Sequence, residues 1–165
     1  MPAAFLTYPR GPFIALFLVC ISLLGFGLYL QHVVGLQPCP MCIMQRYAFV
    51  AIALIALIAA IHGPTRGGRK GYIGLILIAA LAGASVAARQ SWIQLYPPEF
   101  AECGPDLGYM LDSFPLAESL PMIFGGSGDC SAVDWTFLSL SIANWSLLCL
   151  LGIAAVAVHQ LLRRR

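Results

Sequence analysis

The sequence predicts an all-α membrane protein, a four-transmembrane-helix bundle, and three observations carry that prediction. Of its 165 residues, 60% are hydrophobic and only 10% charged, where soluble domains carry about 25% charged residues. Four separate apolar runs approach the length, about 20 residues, that crosses a hydrocarbon core as a helix. The charges are also sorted: Glu99, Glu102, Asp106, Asp112, Glu118, Asp129 and Asp134 are all of the acids, and no Lys or Arg lies among them. A mean hydropathy of +0.86 leaves no stretch for a separate soluble domain. The expectation is one membrane domain over 1–165.

The first span is expected over 13–34. Arg10 ahead of it resembles the charged region of a signal peptide. The run is longer than the 7–15 apolar residues, roughly, of such a peptide, and no small-residue cleavage site follows, so it reads as a permanent helix. The second span is expected over 43–62 and the third over 71–90, where the polar stretch ARQSWIQLYPP ends it near Arg89 and sets Trp92 and Tyr96 at the interface. The fourth is expected over 137–159. All four runs are rich in Leu, Ile, Ala and Gly without the strict alternation of barrel strands, which selects helices. Between them lie two outer segments, 35–42 and 91–136.

Basic residues orient the spans. Arg10, the group Arg66, Arg69 and Lys70, and the closing Arg163, Arg164 and Arg165 are seven of the nine, and by the positive-inside rule they place both termini in the cytoplasm. No internal repeat, low-complexity tract, nucleotide-binding glycine pattern or basic nucleic-acid patch is present, which argues against a nucleic-acid partner.

Four of the six cysteines, Cys39, Cys42, Cys103 and Cys130, fall on the outer segments, the side on which disulfides persist. Cys39 and Cys42 form a CxxC, a spacing that serves redox exchange or half of a zinc site. Zinc would need Cys103 and Cys130 as further ligands, but these lack close ligand spacing, and the reading adopted is that no metal is bound. If a helix begins near Cys42, its free N–H groups favour a thiolate there. Arg46, four residues on, shares that helical face; it either marks a site or snorkels to lipid phosphate. Cys103 and Cys130 read, taken alone, as a structural disulfide worth about 3–4 kcal/mol in the chain-entropy model. Two pairs on one face also permit a relay by thiol–disulfide exchange. Between them, the segment 106–124 is either an amphipathic stretch on the membrane or a loop packed on the helix ends, and the glycines of FGGSGDC give Cys130 a flexible approach. Cys20 and Cys149, inside spans, read as small packing residues.

Four spans, PCPMCIMQR at the head of the second, and a long outer loop carrying Cys103 and ending in SGDC at Cys130 resemble the DsbB family of membrane thiol oxidases. The resemblance runs from Gln31 and His32 to the last span. It implies a bacterial inner-membrane protein with its redox cysteines facing the periplasm, and two redox disulfides, Cys39–Cys42 and Cys103–Cys130. It also implies a periplasmic DsbA-like partner that attacks Cys103, exchange of Cys130 with Cys39, and delivery of electrons from Cys42 to ubiquinone or menaquinone in the lipid bilayer. Arg46 would then polarise a quinone oxygen. Where many relatives place a His before WIQLYP, this chain has Arg89 and Gln90; Gln90 donates a hydrogen bond but cannot deliver a proton as His⁺ does. Both are candidates for the quinone site, Arg89 alternatively as an interfacial anchor. Two other classes compete: a non-catalytic bundle whose outer loops are stapled by disulfides, and a relative of vitamin K epoxide reductase, whose CxxC lies late in the chain rather than early.

Overall fold

A computed structural model of the protein describes residues 10–97, 133 and 135–162. Cys103, Cys130, all of the acids and the 106–124 segment lie outside the described residues. Among the described residues, four helices are long and apolar enough to cross a membrane: α1 Gly11–His32, α2 Pro40–His62, α3 Arg66–Leu95 and α4 Ile142–Leu162. A short antiparallel hairpin, β1 Thr136–Phe137 and β2 Leu140–Ser141, precedes α4.

The helix ends follow from their residues. The chain leaves α1 through Gly35, whose φ of +83° suits glycine. Pro40 starts α2, and the residue before a proline is held extended, as Cys39 is at ψ 161°. α2 closes on Gly63 in the left-handed conformation, φ +59°, its N–H bonded to the Ala59 carbonyl at 3.0 Å. α3 ends ahead of Pro97.

Most helix ends depart from the expected spans by a few residues, and three of these departures bear on the site. α2 begins at Pro40 rather than at 43, which puts Cys42 inside its first turn. α3 continues past the expected end at 90 to Leu95; the polar residues of ARQSWIQ stand in a helix, with Gln90 turned inward and Arg89 outward, rather than at the start of a loop. The fourth span was expected from 137, but 136–141 is the hairpin and α4 starts at Ile142. A short apolar run does not by itself distinguish strand from helix, and Leu138 and Ser139 both take positive φ, 52° and 63°, to make the turn.

The helices pack in series, α1 on α2, α2 on α3 and α3 on α4, with no comparable α4–α1 interface to close the ring. Neighbours run antiparallel: at one end Arg69 of α3 bonds Gln160 of α4 and lies over the Phe13 ring of α1, while His62 of α2 bonds Tyr72 of α3. Small residues make the close contacts, as expected where lipid offers no hydrophobic drive between helices. Ala53, Ala56, Ala59 and Ala60 of α2 face Ala80, Ala84 and Ala87 of α3 and Ala154 and Ala157 of α4 in one core. Cys20 sits fully buried in it and Cys149 packs against it, the packing role expected of both. Trp92 and Tyr96 stack outward at the far end of α3, ring centroids 4.9 Å apart.

Candidate redox site

At the other end of the bundle, Cys39 is the N-cap of α2, and its sulfur, in place of the usual oxygen, accepts the backbone N–H of Cys42 at 3.3 Å. The helical turn brings the two sulfurs to 2.9 Å. Cys39 is buried and Cys42 half-buried. The first four N–H groups of an α-helix have no partner inside it, so this pair sits where partial positive charge favours a thiolate.

Gln90 reaches the pair from α3. Its Nε2 lies 3.2 Å from each sulfur, and its Oε1 accepts from Gln45 Nε2 at 2.6 Å and from the Cys42 thiol at 3.7 Å. Both glutamines are almost wholly buried, at 2% and 3% exposure. Arg46, one residue further on α2, turns to α1, donating through Nη1 to the Gln31 side chain and through Nη2 to the Gly27 carbonyl at 3.0 Å. An ideal Cβ at 27 would lie 3.5 Å from Arg46 Nε, in ordinary van der Waals contact, so α1 passes directly against the guanidinium.

These groups line one cavity of about 610 Å³, within the range of small-molecule sites. It occupies the side of the bundle left open between α1 and α4. Its walls are largely apolar, with Leu23, Leu24, Phe26 and Leu30 from α1 and Phe49 from α2, and its polar groups converge at Cys39, Cys42, Gln45, Arg46 and Gln90. A chain of rings crosses the opening from α1 to α4: Phe26 meets Trp135 edge-on at 5.9 Å, Trp135 stacks on Phe137 at 6.1 Å, and Phe137 meets Trp145 at 6.0 Å. Trp145 Nε1 donates to the Phe137 carbonyl at 3.1 Å and fixes the hairpin on α4. Beside it Ser141 donates to Gln94 Oε1 at 2.6 Å and caps Asn144 N–H at 3.3 Å, tying the ends of α3 and α4 together.

The donor set suits a flat, uncharged, carbonyl-bearing molecule with a lipid-soluble tail. Aromatic and aliphatic walls accept its ring, a guanidinium supplies fixed donors for an oxygen, and the gap between α1 and α4 leads to the lipid-facing surface.

Of the residues singled out in the sequence, Cys39, Cys42, Arg46 and Gln90 meet at this cavity. Arg89 is exposed and is not among the cavity-lining residues, since one residue of helix turns it about 100° from Gln90. Sequence reasoning missed Gln31, Gln45, Gln94 and the aromatic chain. Gln31 and Gln45 carried a readable signal: polar side chains inside apolar spans face the bundle interior and pair there.

Residues 9–160 match the family model for the disulfide bond formation protein DsbB. Three proteins named disulfide bond formation protein B are similar over nearly their full lengths. That of Aromatoleum aromaticum is 68% identical, with 94% of each chain covered. That of Azoarcus sp. strain BH72 is 63% identical, again with 94% of each covered. That of Polaromonas sp. strain JS666 is 54% identical, with 96% of each covered. The four membrane-length helices, the capped CxxC at the head of the second and these similarities lead to one conclusion: the chain belongs to the DsbB family of disulfide bond formation proteins.

Proposed function

We propose that this protein reoxidises a periplasmic DsbA-like thiol oxidant and passes the electrons to a membrane quinone. The observation that carries the reading is that the paired sulfurs of Cys39 and Cys42 and the guanidinium of Arg46 open onto the same apolar cavity. In this reading both termini are cytoplasmic, the membrane is the bacterial inner membrane, and the cysteine end of the bundle faces the periplasm. The basic cluster Arg66, Arg69 and Lys70 opposite the cysteines supports that orientation.

The electrons move through successive thiol–disulfide exchanges, each forming one S–S bond for the one it breaks. A thiolate of the reduced partner attacks Cys103, breaking the Cys103–Cys130 disulfide; the partner's second thiol resolves the mixed disulfide and leaves oxidised. The Cys130 thiolate attacks Cys39, forming a Cys39–Cys130 disulfide and releasing Cys42 as a thiolate; the Cys103 thiolate then attacks Cys130 of that bond, re-forming Cys103–Cys130 and leaving Cys39 and Cys42 both reduced. Reformation of Cys39–Cys42 delivers two electrons to the cavity, and two protons complete the reduction. Ubiquinone or menaquinone, when bound, supplies the two-electron acceptor. The chain's own part is to hold the Cys42 sulfur at a helix N-terminus, to keep the site largely dry with the aromatic chain, and to aim the Arg46 donors at charge developing on an oxygen, where fixed donors act most strongly.

The test is to mix the purified protein with a reduced DsbA-like partner and a soluble quinone and to follow the quinone's absorbance. Catalytic bleaching, with a mixed disulfide through Cys103 trapped in Cys130→Ala, is the expected result. No turnover with either quinone class, with all four cysteines staying oxidised, favours the stapled, non-catalytic bundle.

A further inference from the structure

The contact between Gln90 and the sulfurs carries an assignment beyond the relay. A glutamine amide nitrogen has two N–H donors, and Gln90 Nε2 lies 3.2 Å from the Cys39 sulfur and 3.2 Å from the Cys42 sulfur. One donor is therefore available to each sulfur. The side chain is 2% exposed, so water does not compete with this contact. An amide can face its neighbours with either end. Here the carbonyl end accepts from Gln45 Nε2 at 2.6 Å and, more distantly, from the Cys42 thiol at 3.7 Å, while the N–H₂ end, 3.2 Å from both sulfurs, is the end nearer the pair. Gln45 is 3% exposed and lies on the same helix as the pair, one turn beyond Cys42. The two glutamines thus form a buried, uncharged relay of orientation from α2 to α3 and back to the sulfurs.

We propose that Gln90 is a catalytic residue that stabilises the anionic sulfur of the Cys39–Cys42 pair, and that Gln45 is the positioning residue that holds the Gln90 amide with its donors toward sulfur. A charge on Cys42 in this buried site meets the Cys42–Cys39 turn, the α2 N-terminus and one Gln90 N–H; Cys39, 2.9 Å away, meets the other. Donors to an ionised sulfur favour the ionised form, and burial amplifies the effect. Because neither amide titrates, the stabilisation is present across the whole working pH range. The sulfurs and the cavity oxygen site are thereby served by different groups. Gln90 works on the pair, and Arg46, fastened to Gln31 and Gly27, works on the ligand.

The proposal rests on Cys39–Cys42 being the reactive pair, and its test is independent of partner and quinone. The full-length protein is reduced, freed of reductant, and treated with limiting iodoacetamide; alkylation of Cys42 is quantified by peptide mass spectrometry at pH 6 and at pH 10. The readout is the ratio of the two rates, because a structural change that merely exposes or hides the sulfur moves both. Gln90→Leu removes both donors and is expected to lower the ratio about tenfold, the change for one unit of titration. Gln90→Glu, nearly isosteric, places a carboxylate against the sulfurs and lowers it at least as far. Gln45→Glu leaves Gln90 untouched but presents acceptors to it, so the Gln90 amide turns its N–H₂ away from sulfur and the ratio falls as well. Ratios within twofold of the unmodified protein in Gln90→Leu and Gln90→Glu overturn the role of Gln90. A fall in those two with no change in Gln45→Glu overturns the positioning role of Gln45. Absence of turnover in the unmodified protein would sink the oxidase reading and leave these ratios unaffected.

Discussion

Arg46 Nη2 donates to the carbonyl oxygen of Gly27 at 3.0 Å, so a cation on α2 is fastened to the backbone of α1 beside the cavity. The guanidinium fork makes this possible while Nη1 engages Gln31; a lysine ammonium is a point charge without that geometry. Arg46→Met is expected to lower kcat/KM for quinone by about 10²- to 10³-fold, the size of a lost fixed donor at a reacting oxygen. Arg46→Lys should recover only part of it. Steady-state quinone reduction at saturating partner checks both, and full activity in Arg46→Met contradicts the assignment.

The helix core is expected to be intolerant at Gly83. An ideal Cβ there would lie 2.6 Å from the Ala48 Cβ and 3.1 Å from Leu150 Cδ1, and the alanine methyl cannot swing away. Gly83→Ala should therefore destabilise the bundle by about 1–3 kcal/mol through overpacking. Gly74→Ala, where nothing lies within 4 Å, should change stability by no more than about 0.5 kcal/mol. Unfolding midpoints of the two variants in mixed micelles make the comparison; equal midpoints would refute the packing argument.

At the opposite end, Gly63 combines a left-handed backbone with a guanidinium against it. Its φ is +59°, and an added Cβ would meet Arg10 Nη2 at 2.6 Å. Gly63→Ala is expected to cost about 1–2 kcal/mol from the backbone alone, with quinone reduction per folded molecule unchanged because the cysteines lie at the far end of α2. A loss of specific activity with no loss of stability would reverse that expectation.

The aromatic chain gives a prediction about ligand retention. Trp145 both bonds the Phe137 carbonyl and lines the cavity, so Trp145→Leu loosens the hairpin and opens the wall together. The Michaelis constant for quinone should rise several-fold while Cys42 alkylation at pH 6 stays as in the unmodified protein. If alkylation changes and the Michaelis constant does not, the rings serve the sulfurs rather than the ligand.

Four spans and the CxxC were legible in the sequence because both are local: hydropathy marks a helix that must satisfy its own backbone in lipid, and Pro40 after Cys39 announces a helix start. Cys39, Cys42, Arg46 and Gln90, each singled out in the sequence, line one cavity. What was not legible depends on pairing between distant segments. That Gln45 and Gln90 bond each other is a consequence of α2 packing on α3, forty-five residues apart in sequence. The hairpin at 136–141 was hidden because Leu138 and Ser139 are not the residues that ordinarily mark a turn with two positive φ angles. Gln94 was lost to a boundary: reading the polar end of α3 as loop removed the helical register that sets it one turn beyond Gln90.

The central claim is that Cys42 is the sulfur from which electrons leave the protein. The most direct measurement is quinone absorbance with reduced DsbA-like partner and the Cys42→Ala protein, compared under identical conditions with the unmodified protein. The account predicts that quinone reduction is abolished in Cys42→Ala while the partner still forms its mixed disulfide through Cys103. Quinone reduction by Cys42→Ala at the unmodified rate would contradict it.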